Sequence, residues 1–326
     1  MLRSLFSGVS GMKSQQTKMD VIGNNVANVS TTAFKSGRAT FKDALSQTEQ
    51  AASSPTTNMG GINPKSVGLG VSVSAIDTNM GQGYLQPTGG KTDLAIEGNG
   101  MFIVSKLKDT DVPTSATPDP MEETYYTRDG SFKLDKDGNL LTADGYYVMG
   151  KRDTAVSFGT GDDTSAMVTI PDKGTKQEPV TIDDTTKLAD LEKIVIPLTT
   201  VDKTTNITDF SIEQDGTIKA LYGEDTVVIG KIAMATFQNV AGLEKKGGNL
   251  YQVSPNSGDE NSGDEKIGTA NSSGFGKMVQ GHLEMSNVDL ANEFTDMIIT
   301  SRAFQANSRT ITTSDEMLQE LLNLKR

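Results

Sequence analysis

Apolar residues recur at helical spacing through the first part of the chain. One row repeats every seven residues from Leu5 to Val26, and a second row lies beside it. Apolar positions three and four residues apart share one side of a helix and can pack against a partner helix. The sequence therefore predicts an N-terminal helix over 2–22, with a seam that extends past it. The predicted seam consists of Leu2, Leu5, Val9, Met12, Met19, Ile22 and Val26.

The C-terminal part of the chain repeats this pattern more strongly. Ser286 or Asn287 can cap a helix here, and Asp289 lies in its first turn, where the helix dipole favours an acidic residue. A helix from Asp289 to Leu324 would be roughly 50 Å long. Ser301, Ser308 and Asp315 dilute its second row. The predicted seam consists of Leu290, Phe294, Met297, Phe304, Ile311, Leu318 and Leu322.

Neither helix has a neighbour in sequence with which to pair. The two helices can pack against each other within one chain, or they can pack against helices of other copies. Seams interrupted by small polar residues are weak as isolated pairs and become stable when an assembly buries several faces. Both arrangements are compatible with the sequence.

Four residues that weaken helices follow the N-terminal pattern: Gly23, Asn24, Asn25 and Asn28. They permit a bend or a helix end at which the segment can move. An ordinary helix end followed by a turn explains the same residues without any movement.

The hydrophobic period changes from helical to alternating in the middle of the chain. Residues 46–66 are polar and read as a linker or mobile loop. Val67, Leu69, Val71 and Val73 alternate with other residues, which predicts a half-buried strand. Residues 93–104 form a further strand with a Gly-Asn-Gly bend. Three Asp-Gly pairs lie between short apolar runs in residues 125–150, and this pattern is typical of hairpins.

These patterns predict an α+β fold. Its long terminal helices pair as coiled-coil-like elements, and two nested antiparallel β-rich domains lie between them. The predicted parts are an N-terminal helix and hinge (1–45), a linker or mobile loop (46–66), a β-rich middle domain (67–150 plus 230–285), an inserted outer β domain (151–229) and a C-terminal helix (286–326) that joins residues 1–45.

Composition and charge exclude several classes of function. The net charge of −12 argues against binding to a nucleic acid backbone, which needs clustered Lys and Arg. No stretch approaches 18 consecutive apolar residues, so we expect no membrane insertion. The N-terminus lacks the apolar stretch and small-residue cleavage site of a secretory signal, so we expect no cleaved signal peptide.

The sequence contains no recognisable catalytic or metal-binding motif. Cysteine is absent and His282 is the only histidine, so a metal site would have to consist of oxygen ligands. Residues 89–92 (GGKT) lack the glycine that a phosphate-binding loop requires at position 85. Residues 135–139 match only the first ligand positions of a calcium loop, and a hairpin turn explains them better. We therefore expect no enzyme activity, no cofactor and no metal, and predict an interaction protein.

Both ends of the chain resemble a known family. Residues 1–37, MLRSLFSGVSGMKSQQTKMDVIGNNVANVSTTAFKSG, resemble the N-terminal signature of bacterial flagellar axial proteins, which are the rod, hook and hook-associated proteins. Residues 283–326 are similar to the C-terminal signature, especially that of the hook members. Segments within 92–150 and 230–254 also resemble the family. Ala33 departs from the pattern, since the family commonly has glycine there. The family motif includes Gly23, Asn24, Asn25, Asn28, Phe34 and Lys35.

The resemblance implies a structural subunit that assembles helically into a hollow tube. The terminal helices would line the tube, and the β domains would face outward. The extra segment 151–209 favours a subunit of the hook, a flexible universal joint that transmits torque from the rod to the filament. A distal-rod subunit is the alternative. A secreted β-rich enzyme or sugar-binding module would need an aromatic cleft with paired carboxylates, and the sequence contains no such cluster.

The resemblance also implies partners and a location. The partners are further copies of the chain, the rod and hook–filament junction proteins, the hook cap during assembly and the flagellar type III export apparatus. The location is the extracellular hook of the flagellum.

Overall fold

The computed structural model describes residues 2–55, 60–107, 121–153, 156–158, 166–168, 182, 188–200, 206–258 and 265–324. The chain divides into two compact units. The helical unit contains Met1–Ser30, Lys35–Asn79 and Val288–Arg326. The β unit contains Thr31–Phe34 and Met80–Asn287.

Two long helices define the helical unit. Helix α1 (Leu2–Ala27) has 26 residues and α2 (Leu290–Leu324) has 35. Helix α1 continues through Gly23, Asn24 and Asn25 instead of ending before them, because tertiary contacts override the weak helix propensity of these residues. The end of α1 therefore lies later than the sequence predicts. Neither helix, over its described residues, is long and apolar enough to cross a membrane.

Four strands complete the helical unit. Strand β1 (Gly37–Asp43) pairs antiparallel with β4 (Val71–Thr78), and β2 (Ser46–Gln50) pairs antiparallel with β3 (Lys65–Gly68). Strands β2 and β3 occupy part of the segment predicted as a linker or mobile loop. Every residue of both strands is exposed, including Val67 of β3, so the prediction that Val67 belongs to a half-buried strand is wrong.

The β unit consists mainly of one antiparallel sheet of 13 strands. Its longest path runs in the order β16-β17-β18-β11-β7-β8-β21-β20. The strands of the unit are β5 (Leu85–Pro87), β6 (Leu94–Glu97), β7 (Met101–Leu107), β8 (Met121–Thr127), β9 (Lys133–Leu134), β10 (Leu140–Leu141), β11 (Tyr147–Arg152), β12 (Val156–Phe158), β13 (Ala166–Val168), β14 (Glu192–Lys193), β15 (Thr199–Thr200), β16 (Ile207–Ile212), β17 (Thr217–Tyr222), β18 (Asp225–Ile232), β19 (Met234–Phe237), β20 (Glu244–Gly247), β21 (Leu250–Gln252), β22 (Glu265–Gly268), β23 (Lys277–Gln280) and β24 (His282–Glu284).

The remaining pairings of the β unit are short. Strand β24 pairs with β5 and β23 pairs with β6, each antiparallel. Strands β12, β13 and β15 form a separate small sheet, in which β13 and β15 are parallel. Two 3₁₀ turns lie at Leu188–Asp190 and Val240–Gly242.

Two of the predicted Asp-Gly hairpins are confirmed. Gly138 (φ 79°) lies in the turn between β9 and β10, and Gly145 (φ 86°) lies in the turn between β10 and β11. Asp135 donates its N–H to the Asn139 carbonyl at 3.1 Å, so residues 135–139 form a hairpin turn. Gly130 has another role, because a Cβ there would lie 1.7 Å from the Leu94 carbonyl oxygen.

Both faces of the central sheet are buried. Phe102 and Val104 of β7 belong to one apolar cluster, and Met101 and Ile103 belong to another. The ring of Phe102 meets Phe132 edge to face at 5.1 Å between centroids. Central strands that are covered on two sides read as continuous apolar runs, as MFIV does here.

Residues of the predicted outer domain contribute to these same clusters. Ile194, Ile218 and Ile229 pack in the cluster that contains Phe102. The described part of 151–229 therefore shares a core with the predicted middle domain. The structure has one large antiparallel β unit where the sequence predicts two nested domains.

Candidate self-assembly site on the terminal helices

Helices α1 and α2 lie antiparallel and contact each other within one chain. The Ser4 and Ser314 hydroxyl oxygens are 3.5 Å apart near one end of the contact. The Lys18 ammonium lies 3.2 Å from the Asp296 carboxylate farther along. Since residue numbers rise along α1 as they fall along α2, the helices run in opposite directions.

Glycines allow the two helices to approach closely. A Cβ at Gly8 would lie 3.1 Å from a side-chain carbon of Ile311, and one at Gly11 would lie 2.7 Å from the Asn307 amide nitrogen. Both glycines are buried. A larger side chain at either position would push α2 away.

The predicted apolar seam is divided between the contact and the surface. Ile22 is buried, and Ile311 packs against Gly8. The half-buried members are Leu5, Met12, Met19, Val26, Met297, Ile311 and Leu318. The exposed members are Val9, Leu290, Phe294, Phe304 and Leu322. The side chain of Leu2 lies outside the described residues.

A polar row on α2 contributes contacts that the sequence analysis missed. Thr300 and Ser314 are the two buried residues of α2, and Asn307 faces Gly11. With Glu293, these residues recur every seven positions, one residue before the predicted row of Ser301, Ser308 and Asp315. Small and polar residues therefore contribute to the contact between the helices beside the half-buried apolar members of the seam. The seven-residue spacing of Thr, Asn and Ser opposite the glycines is the signal that reveals it.

Asn25 joins the end of α1 to two other elements. Its side-chain amide donates to the Gly37 carbonyl at 2.9 Å and to the Glu293 carboxylate at 3.0 Å. Its side-chain oxygen accepts the Gly37 N–H at 2.9 Å. Asn25 is 2% exposed. A carboxamide pairs with a peptide group in this way because it both donates and accepts.

Glu293 lies in an environment that disfavours its charge. Burial raises the pKa of the Glu293 carboxyl above its usual range, and nearby Asp296 and Asp289 act in the same direction. The hydrogen bond from Asn25 and the charge of Lys18 lower this pKa, but they do not compensate fully.

Serines hold another side of α1 against β4. The Ser10 hydroxyl accepts the Val71 N–H at 3.3 Å and donates to the Ser7 carbonyl at 2.9 Å. The Ser14 hydroxyl donates to the Val71 carbonyl at 3.5 Å. Gly70 has φ 125°, and a Cβ there would lie 2.1 Å from the Ser10 hydroxyl, so close approach requires glycine.

The other residues of the family motif lie in varied surroundings. Gly23 and Asn24 are exposed on α1, and Asn28 donates its side-chain amide to the Asn24 carbonyl at 2.9 Å just after the helix. The Phe34 ring lies 5.2 Å from the Lys245 ammonium within the β unit. Lys35 is 1% exposed. Of the hinge residues within α1, Asn25 is the buried one.

The two helices expose many large apolar side chains. Phe6 is 70% exposed and Ile298 is 63% exposed. Large exposed apolar patches are a common sign of an interaction surface in soluble proteins. The apolar helix surface comprises Phe6, Val9, Leu290, Phe294, Ile298, Ile299, Phe304, Met317, Leu321, Leu322 and Leu324.

Comparisons with known proteins identify the family. Residues 5–35 match the family described as flagella basal body rod protein, and residues 279–324 match the flagellar basal body rod FlgEFG protein C-terminal family. Residues 95–220 match the flagellar hook protein FlgE/F/G D1 domain.

Relatives match the chain over its whole length. The flagellar basal-body rod protein FlgG of Bacillus subtilis (strain 168) is 42% identical over 327 residues, with 100% of both chains covered. The flagellar hook protein FlgE of Treponema pallidum (strain Nichols) is 31% identical over an alignment of 482 residues, again with 100% of both covered. The chain belongs to the flagellar rod and hook family, whose members are structural components of the flagellar axis that polymerise.

A solved structure gives a more distant likeness. The Helicobacter pylori flagellar hook protein FlgE2 matches 61% of this chain and 100% of its own at a TM-score of 0.35 and 13% identity. This likeness is too slight to bear on the fold.

Replacing Asn25 with Asp tests the role of its carboxamide. Asn25→Asp removes the donor to Gly37 and Glu293 and places a second carboxylate beside Glu293, so we expect a loss of about 2–4 kcal/mol in the free energy of unfolding of the helical unit. Urea unfolding followed by far-UV circular dichroism measures it. The matched control is Asn24→Asp on the exposed side of α1. Equal stability of the two variants would exclude this role.

Glu293 makes the stability of the helical unit depend on pH. A raised carboxyl pKa means that the folded chain binds the proton more tightly than the unfolded chain does, so stability falls as the pH rises from about 4.5 through the folded pKa. We expect Glu293→Gln to be more stable than the parent chain near pH 7, with the difference disappearing toward about pH 4.5. Urea titrations across this range test it, with Asp315→Asn as the control for loss of one charge from α2. A difference that stays constant with pH would contradict the assignment.

Proposed function

We propose that the chain is a subunit of the distal rod, the straight drive shaft of the flagellar basal body. The main support is the match to the B. subtilis rod protein, which is 42% identical over 327 aligned residues with 100% of both chains covered. The alignments to two hook proteins extend over 482 and 461 residues, although this chain has 326. Those hook proteins therefore contain long segments that have no counterpart here.

A hook subunit is the second candidate. The sequence argument for it is the extra segment 151–209. Two relatives named as hook proteins support this candidate, since they are 31% and 32% identical and cover the whole chain. In either place the partners would be further copies, neighbouring axial proteins and the export apparatus.

We propose that the apolar helix surface is where copies of the chain meet. Burying one large apolar side chain contributes about 1.5–3 kcal/mol, so a surface with Phe6, Phe294 and Ile298 strongly favours association. Since the family polymerises, further copies of the chain are the natural occupants of this surface. The exposed members of the predicted seam then pack between subunits, whereas Ile22 and Ile311 pack within one subunit.

The two candidate locations are distinguished by labelling. Antibody-bound gold against this protein is applied to intact cells and to cells with an opened envelope, and both are viewed by electron microscopy. We expect gold on a straight rod, and only after the envelope is opened. Gold on the curved segment outside intact cells would overturn the rod assignment and favour the hook.

A charge on the apolar helix surface should prevent polymerisation. Ile298→Asp places a carboxylate where a copy would bury this side chain, so we expect no polymer and no swimming, while circular dichroism of the purified monomer stays unchanged. Thr313→Asp adds the same charge at an exposed polar position of α2 and should polymerise. Ile311→Asp instead disturbs the contact with Gly8 within the chain. Normal polymers from Ile298→Asp would exclude the proposed surface.

A further inference from the structure

The chain passes repeatedly between the helical unit and the β unit. Three stretches of the β unit lie next to these passages, namely residues 31–34, 80–84 and 284–287. They are far apart in sequence, yet they are hydrogen-bonded to one another within the β unit. The bonds join the Ala33 N–H to the Glu284 carbonyl (2.7 Å), the Met285 N–H to the Tyr84 carbonyl (2.8 Å), the Asn287 side-chain amide to the Gly81 carbonyl (3.1 Å) and the Asn287 N–H to the Phe34 carbonyl (3.4 Å).

Glu284 links these stretches through its side chain as well as its backbone. One carboxylate oxygen accepts the Gly83 N–H at 2.9 Å, and the other lies 3.2 Å from an Arg128 guanidinium nitrogen. The second terminal nitrogen of Arg128 donates to the Gly98 carbonyl at 2.7 Å. Arg128 is 7% exposed and Glu284 is 1% exposed. A buried carboxylate needs such partners because burial without them is costly.

Gly83 permits this arrangement. A Cβ at this position would lie 1.9 Å from the Met285 carbonyl oxygen. The stretch 80–84 can therefore approach residue 285 this closely only because residue 83 is glycine. A second bond secures the first stretch, where the Asn249 side-chain amide donates to the Thr32 carbonyl at 2.8 Å.

We propose that the Arg128–Glu284 ion pair is an anchor that fastens the three stretches into one fixed arrangement. A buried ion pair adds little net stability, since desolvation offsets the attraction between the charges. It does impose one geometry, because either charge without its partner is strongly unfavourable. The three stretches therefore share any force applied to one of them. The proposal holds equally for a rod subunit and a hook subunit.

Hydrogen exchange of the purified full-length monomer, measured by mass spectrometry, tests the anchor. Arg128→Met removes the guanidinium that pairs with the Glu284 carboxylate. We expect exchange to accelerate roughly tenfold or more in peptides that contain Ala33, Gly83, Met285 and Asn287, while β17 and β18 keep their protection. Should this variant fail to fold, Glu284→Gln removes the charge but keeps an oxygen acceptor for Gly83, and we expect the same pattern to a smaller degree.

A second ion pair of the β unit provides the control. Arg152 pairs with Glu192 at 2.5 Å, with side chains 11% and 27% exposed, away from the three stretches in sequence. Arg152→Met should accelerate exchange around β11 and β14 and leave the three stretches unchanged. The anchor is excluded if Arg128→Met leaves the three stretches unchanged, or if it accelerates exchange uniformly across the β unit, since the pair would then contribute only general stability.

Discussion

The close approach of α1 to α2 is the constraint on which the helical unit depends. Gly8 and Gly11 remove the side chains that would keep the helices apart, and Asn307 and Ile311 fill the space. Because this contact uses small and polar residues, it leaves most large apolar side chains of both helices outside it. The chemistry that joins the helices within a chain therefore also leaves apolar side chains exposed on both helices, and these form the surface proposed for contacts between copies. A seam that consumed those apolar residues internally would leave little to drive polymerisation.

Directional polar contacts fix the geometry within the helical unit. The bonds of Asn25 to Gly37 and Glu293 depend on direction and distance, so they fix how α1, β1 and α2 meet. Apolar contacts are less directional and tolerate several registers. The directional polar contacts thus lie on the faces of the helices that meet other elements of the same chain. The exposed apolar side chains lie on other faces of the same helices.

The sequence predicts the features whose signal is local. Seven-residue periodicity finds both helices, and Asp-Gly pairs find the turns at Gly138 and Gly145. The polar row of α2 escapes prediction because burial of a residue such as Ser314 depends on contacts with a segment far away in sequence, here Ser4, 310 positions earlier. Strand β2 escapes because all its residues are polar and exposed. The sequence does not predict the single β core, because a central strand that is buried on both faces, such as β7, shows no alternation of apolar and polar residues. The pattern therefore does not indicate whether neighbouring strands belong to one domain or to two.

Ala33 shows how tertiary contacts impose a backbone conformation that local preference opposes. Its φ of 55° is the left-handed conformation, which costs a residue with a side chain about 1–2 kcal/mol. The Ala33 N–H nevertheless donates to the Glu284 carbonyl, and its side chain is 1% exposed. The family commonly has glycine here, which adopts this conformation without strain. In this chain the hydrogen bond and the burial of the methyl group offset the strain, so the turn depends on the β unit that surrounds it rather than on the residue itself.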